Sequence, residues 1–80
     1  MGVERRETPP YLEIAGILRA KIMSGEYPPG AMLPSMSRIS QEYEVSRGTA
    51  QRALHVLVDE GLARLVKGWG TFVTDRKGSR

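Results

Sequence analysis

The sequence predicts an α+β fold: three helices, then a β-hairpin whose two strands join a third short strand in a three-stranded antiparallel sheet. Three observations carry that expectation. Apolar residues recur at helical spacing in three segments before Gly61. The runs after it, 62–66 and 71–73, are rich in β-prone side chains. Between them, Lys67-Gly68-Trp69-Gly70 places two glycines within four residues, a hairpin signal. At 80 residues the chain has room for one small domain with an economical core.

Residues 1–9 read as a flexible arm, 10–74 as the folded domain and 75–80 as a frayed tail. The first helix starts at Pro9-Pro10, since proline suits a helix start. Its inward face is Tyr11, Ile14, Ile17, Leu18 and Ile22, flanked by Ala15 and Met23. Ser24-Gly25 ends it, and Tyr27-Pro28-Pro29-Gly30 is a turn. Ala31-Met32-Leu33, stopped by Pro34, is too short to stand alone and needs the hairpin as its partner. Ser35 is an N-cap for a short helix to about Tyr43, with Ile39 and Tyr43 facing inward. Glu44-Val45 breaks the pattern. Ser46 caps a longer helix over 46–60, closed by Gly61, with Ala50, Ala53, Leu54, Leu57 and Val58 as the buried stripe. Met23, Met32 and Met36 are expected in the core or at its edge.

Composition excludes several functions. Without cysteine there is no disulfide, thiolate zinc site or cysteine nucleophile. One histidine and nine carboxylates in no paired arrangement leave neither a nucleophile–base pair nor a metal cluster. No enzyme activity, cofactor or metal is therefore expected. No stretch approaches the roughly 20 apolar residues that span a bilayer. The start, MGVERRETPP, lacks the apolar segment of a signal peptide. No membrane partner is expected, and the cytoplasm is the expected location. Net charge is +3, unevenly placed: residues 1–45 hold five basic and six acidic side chains, residues 46–80 seven and three. The basic half suits a polyanion.

Two helices joined by a tight turn, the second longer and serine-capped, form a helix-turn-helix pattern, and the hairpin after it makes the unit winged. The core of the motif is Ile39, Tyr43, Val45, Ala50 and Ala53, with small Ser40 allowing close approach. The opposite face of the second helix carries Arg47, Gly48, Gln51, Arg52 and His55, with no acid and no large apolar side chain. Arg and Gln reach base edges and phosphates from a helix in the major groove. Free N–H groups near 46–49 favour a phosphate. Arg47 and Gln51 are expected to read bases and Arg52 a phosphate, while His55 is a surface residue that at most touches phosphate. Arg64 and Lys67 charge the wing. Trp69 either folds back on the domain or points outward, against sugar or a partner protein.

These residues resemble the DNA-binding domain of the GntR family of bacterial transcription regulators. The matching strings are Tyr11 to Ile22, SGEYPPGAMLPS at 24–35, VSRGTAQRAL at 45–54, DEGL at 59–62 and GWGTFV at 68–73. The resemblance implies a winged helix that binds double-stranded operator DNA as a dimer. The helix over 46–60 would enter the major groove, and the wing over 67–70 would lie at the minor groove or backbone. Carried over by position, Ser46, Arg47, Gly48, Thr49, Gln51, Lys67, Gly68, Trp69 and Gly70 face DNA. Arg52 from the helix face and Ser35, Ser37 and Arg38 at the start of the preceding helix complete the candidate site.

The chain departs from the family at informative places. Met36 and Ser37 stand where an acidic–basic pair is frequent, and Gly48 where Thr is usual. Gln51, followed by Arg52, replaces a usual Arg, and Trp69 replaces the Arg between the wing glycines. The family's consensus operator is therefore not implied. Family members carry a C-terminal domain that binds an effector and dimerises, whereas this chain ends seven residues after Val73. No effector site is expected in it. The arm and first helix show no second apolar stripe, so a monomer or weak dimer is expected when free, and a dimer on DNA. A protein-docking module is the competing reading: Trp69 and the low net charge speak for it, the face at 46–52 against it.

Overall fold

The computed structural model describes residues 8–75. Its elements are α1 (Pro10–Ser24), α2 (Met36–Tyr43), α3 (Arg47–Asp59), β1 (Ala63–Val66) and β2 (Gly70–Val73). Most of the expected arm and tail lies outside the described residues. Thr74 is tied to the fold, donating its N–H to Leu62 O at 3.0 Å.

Each helix boundary has a local cause. Pro10 opens α1, where its missing N–H leaves no bond unmade. Gly25, at φ 91°, closes α1 in the left-handed conformation. Ser35 caps α2 by accepting the N–H of Arg38 at 3.1 Å, and Ser46 caps α3 by accepting that of Thr49 at 3.0 Å. Between α2 and α3, Ser40 Oγ donates to Val45 O at 2.6 Å and Val45 N–H donates to Ser40 O at 3.1 Å. Ser40 is thus a small contact residue that also locks the turn.

Helix α3 is the centre of the domain, packed on α1, on α2 and at its far end on β1. Leu18, Ile39 and Leu57 are its largest fully buried side chains. Ala15, Ala50 and Ala53 are fully buried beside them, small enough for the helices to approach closely. Leu33, Leu62, Ala63 and Val73 close the core from the strand side. Tyr43, Val45 and Val58 pack against its edge.

The sheet has two strands, antiparallel, with Ala63 opposite Val73 and Val66 opposite Gly70. The expected third strand is reduced to one antiparallel bridge, Met32 to Phe72. Leu33 N–H donates to Thr71 O and Val73 N–H to Ala31 O, both at 2.8 Å. Proline at 34 has no N–H to continue the ladder, and the turn at 28–30 ends it on the other side.

Three expected core residues lie outside. Ile17 is 41 % exposed because successive helical residues diverge by about 100° and α1 buries only the face that meets α3; Leu18 takes that place. Met23, 62 % exposed, lies on the solvent side of the last turn of α1. Met32, 56 % exposed, alternates with buried Leu33 in extended chain, so one must face outward.

Candidate nucleic-acid interface

The packing of α3 leaves one long side free, and there Arg47, Gly48, Gln51, Arg52 and His55 are all exposed. Ser46 and Thr49 are engaged with each other: Ser46 Oγ accepts the Thr49 N–H and donates to Thr49 Oγ1, both at 3.0 Å. The first turn therefore presents the side chain of Arg47 and backbone N–H groups that have no acceptor within the helix. Gly48 is sterically open, since a Cβ built there would meet only Ser46 Oγ at 3.9 Å. Ser35, Ser37 and Arg38 are exposed at the start of α2, although the Ser35 hydroxyl is occupied as the cap.

The two flanks of this face differ. On the α1 side, the Arg52 guanidinium sits 4.4 Å over the ring centroid of Tyr11. On the hairpin side, Gln51 and His55 line an apolar groove of about 290 Å³ with Met32, Met36, Leu65 and Trp69. Trp69 is 74 % exposed, so of its two expected placements the outward one holds.

The wing tip is a tight turn. Trp69 N–H donates to Val66 O at 2.9 Å, and Gly68 between them has φ 84°. A type II turn demands positive φ at its third residue, which glycine supplies without strain. Lys67 is exposed at the tip. Arg64 does not join it: alternation along β1 turns Arg64 to the opposite face of the hairpin from Leu65, beside Gly30 and Asp75.

Among the described residues the ion pairs are Arg19–Glu60 and Lys21–Glu26. Arg19 grips Glu60 with two parallel bonds, Nε to Oε1 at 2.9 Å and Nη2 to Oε2 at 2.7 Å. These hydrogen bonds hold the Glu60 carboxyl below its ordinary range and raise the Arg19 guanidinium. The pair joins α1 to the end of α3. Arg38, Arg47, Arg52 and Lys67 have no carboxylate partner among the described residues, so the α3 and wing surface stays cationic. Sequence reasoning missed the Arg19–Glu60 pair and read Tyr11 as packing alone; no local pattern joins residues 41 apart. Among the described residues no group of three or more His, Cys, Asp or Glu is placed to hold a metal ion, and no helix is long and apolar enough to cross a membrane.

Comparison with known proteins places this geometry. Residues 10–73 match the bacterial regulatory proteins of the gntR family. The HTH-type transcriptional repressor NagR of Bacillus subtilis (strain 168) is 41% identical over 69 residues, covering 86% of this chain and 28% of NagR. The chain spans less than a third of the length of the first curated relatives it matches. The crystal structure of a putative GntR-family transcriptional regulator is similar at TM-score 0.80 and 46% identity, over 86% of this chain and 27% of that one. So is the AraR DNA-binding domain in complex with operator ORE1, at TM-score 0.82 and 32% identity, over 85% and 83% of the two chains. Three helices and a two-stranded hairpin in this order, matched across 10–73, make the chain a member of the gntR family of bacterial regulatory proteins.

Proposed function

We propose that this domain binds double-stranded operator DNA sequence-specifically and gives a transcription regulator its address. One observation carries the reading. The exposed side of α3, with Arg47, Gln51 and Arg52 and no acid before Asp59, stands beside an outward-pointing hairpin, in a fold it shares with a domain solved on its operator.

A helix about 10–12 Å across fits a major groove about 12 Å wide. With α3 there, Arg47 and Gln51 reach base edges, and the N–H groups of its first turn meet a phosphate. Ser37, Arg38 and the cap region of Ser35 approach the backbone beside α2. Lys67, Gly68, Trp69 and Gly70 lie at the minor groove or backbone, where glycines allow close approach. Ser46 and Thr49 act through the cap, and Gly48 leaves room for a base or sugar. No cofactor is needed for any of these contacts.

Selection from random duplexes tests the reading: enrichment of a defined site, with affinity falling steeply as salt rises, is the expected result. A second reading, a protein-docking face, is favoured by one observation, the apolar wall of Met32, Leu65 and Trp69. Binding through that wall would not weaken as salt rises and would leave random duplexes unenriched.

A further inference from the structure

We propose that Tyr11 is a positioning residue for DNA binding, its ring holding the Arg52 guanidinium at the α1-side edge of the α3 face so that its in-plane N–H groups meet a backbone phosphate. The inference rests on the reading that α3 lies in the major groove. Successive residues on a helix splay by about 100°, so Gln51 and Arg52 leave α3 toward opposite flanks. Gln51 lines the hairpin groove, whereas Arg52 lies over Tyr11 on the α1 side. For a helix in a groove, the flanks of its exposed face meet the sugar–phosphate walls and the middle meets base edges.

The chemistry of the contact suits that task. The guanidinium carbon lies 4.4 Å from the ring centroid, and a guanidinium that stacks face-on over an aromatic ring keeps its N–H donors free in its plane. An aromatic platform also orients the cation without neutralising it, as a carboxylate partner would. Tyr11 is half-buried and packed against the core, so the platform is rigid and is set by the fold before DNA arrives. An exposed arginine otherwise samples many rotamers, and restricting them in advance lowers the ordering cost of binding.

The test measures affinity against salt for the selected duplex and for random duplex, with thermal unfolding followed for each variant. Arg52→Ala is expected to weaken both duplexes alike and to lower the salt slope by about one. Tyr11→Leu is expected to weaken binding about two- to fivefold without changing sequence preference, and Tyr11→Phe to bind as wild type. In the Arg52→Ala background, Tyr11→Leu should have no further effect on binding. Arg52→Lys, which leaves the fold alone and keeps the charge while losing the planar stack, is expected to weaken binding with the salt slope intact. Additive effects of Tyr11→Leu and Arg52→Ala, or wild-type binding by Arg52→Lys, overturn the proposal. So does an unchanged slope in Arg52→Ala while Arg47→Ala and Lys67→Ala still impair binding, a result that leaves the DNA interface standing. Wild-type protein that shows no salt-dependent DNA binding removes both.

Discussion

Glu44 is the one non-glycine residue with positive φ among the described residues, at φ 56° in the turn between α2 and α3. A left-handed conformation costs a side-chain-bearing residue about 1–2 kcal/mol, partly offset in glycine by the entropy it loses on folding. Glu44→Gly is therefore expected to raise the thermal midpoint, and Glu44→Val to lower it. A fall in both would show that the Glu44 side chain stabilises the turn. Arg47 is the first residue of α3, just past the Ser46 cap, and is exposed. Arg47→Ala should leave the melting curve nearly unchanged and remove about 1–3 kcal/mol of discrimination between the selected site and random duplex. Unchanged discrimination would take Arg47 out of the base-reading set.

At the scale of elements, α3 has a core side and an exposed side proposed to meet DNA, and the two are expected to respond differently to mutation. Leu57 is fully buried between the helices. Leu57→Ala is expected to cost about 2–5 kcal/mol in chemical denaturation, most of the margin of a domain this small. A loss below about 1 kcal/mol would mean that the site collapses around the smaller side chain. The hairpin, by contrast, presents Lys67 and Trp69 on a turn with little buried behind it. Lys67→Ala should weaken specific and random duplexes alike and lower the salt slope by about one, with stability unchanged. Trp69, the single tryptophan, reports the same event: its fluorescence should shift when duplex is added. Constant fluorescence through saturation would place the wing away from DNA.

For the whole molecule, the Arg19–Glu60 pair closes the domain by tying α1 to the end of α3. Glu60 titrates below the ordinary carboxylate range because Arg19 hydrogen-bonds its charged form. A carboxyl lowered by folding stabilises the protein above its unfolded pKa and loses that contribution as pH falls through the folded one. Glu60→Gln should thus melt below wild type at neutral pH, with the gap closing on acidification; a gap independent of pH would assign the effect to something other than this ion pair. Assembly is also a property at this scale. Leu12, Ile17 and Met23 are exposed on α1, where no second apolar stripe was expected. They form no single stripe: Leu12 and Met23 share a side, and Ile17 lies about 120° or more away. We propose a monomer or weak dimer in free solution and pairing on DNA, where two copies about one helical turn apart gain effective concentration. Sedimentation velocity without DNA checks this, and a tight dimer would refute it.

What the sequence determined by itself is what depends on near neighbours. Helix starts at Ser35 and Ser46 follow from a hydroxyl three residues before the N–H it accepts. The hairpin follows from glycines at a tip that needs positive φ, and the exposed face of α3 follows from a 3.6-residue period. Much of the candidate site was legible for the same reason, since Arg47, Gly48, Gln51 and Arg52 share one helix. Tertiary structure alone decided contacts between residues far apart in the chain. It chose which of Ile17 and Leu18 meets α3, because periodicity cannot rank adjacent apolar residues when only one helix face is covered. It cut the third strand to a single bridge at Met32, because Pro34 and the turn at 28–30 leave too few N–H groups to pair. It set Arg52 over Tyr11, and it brought Arg19 to Glu60 across 41 residues. Those pairings depend on the angle at which α1 crosses α3, and that angle comes from packing in three dimensions.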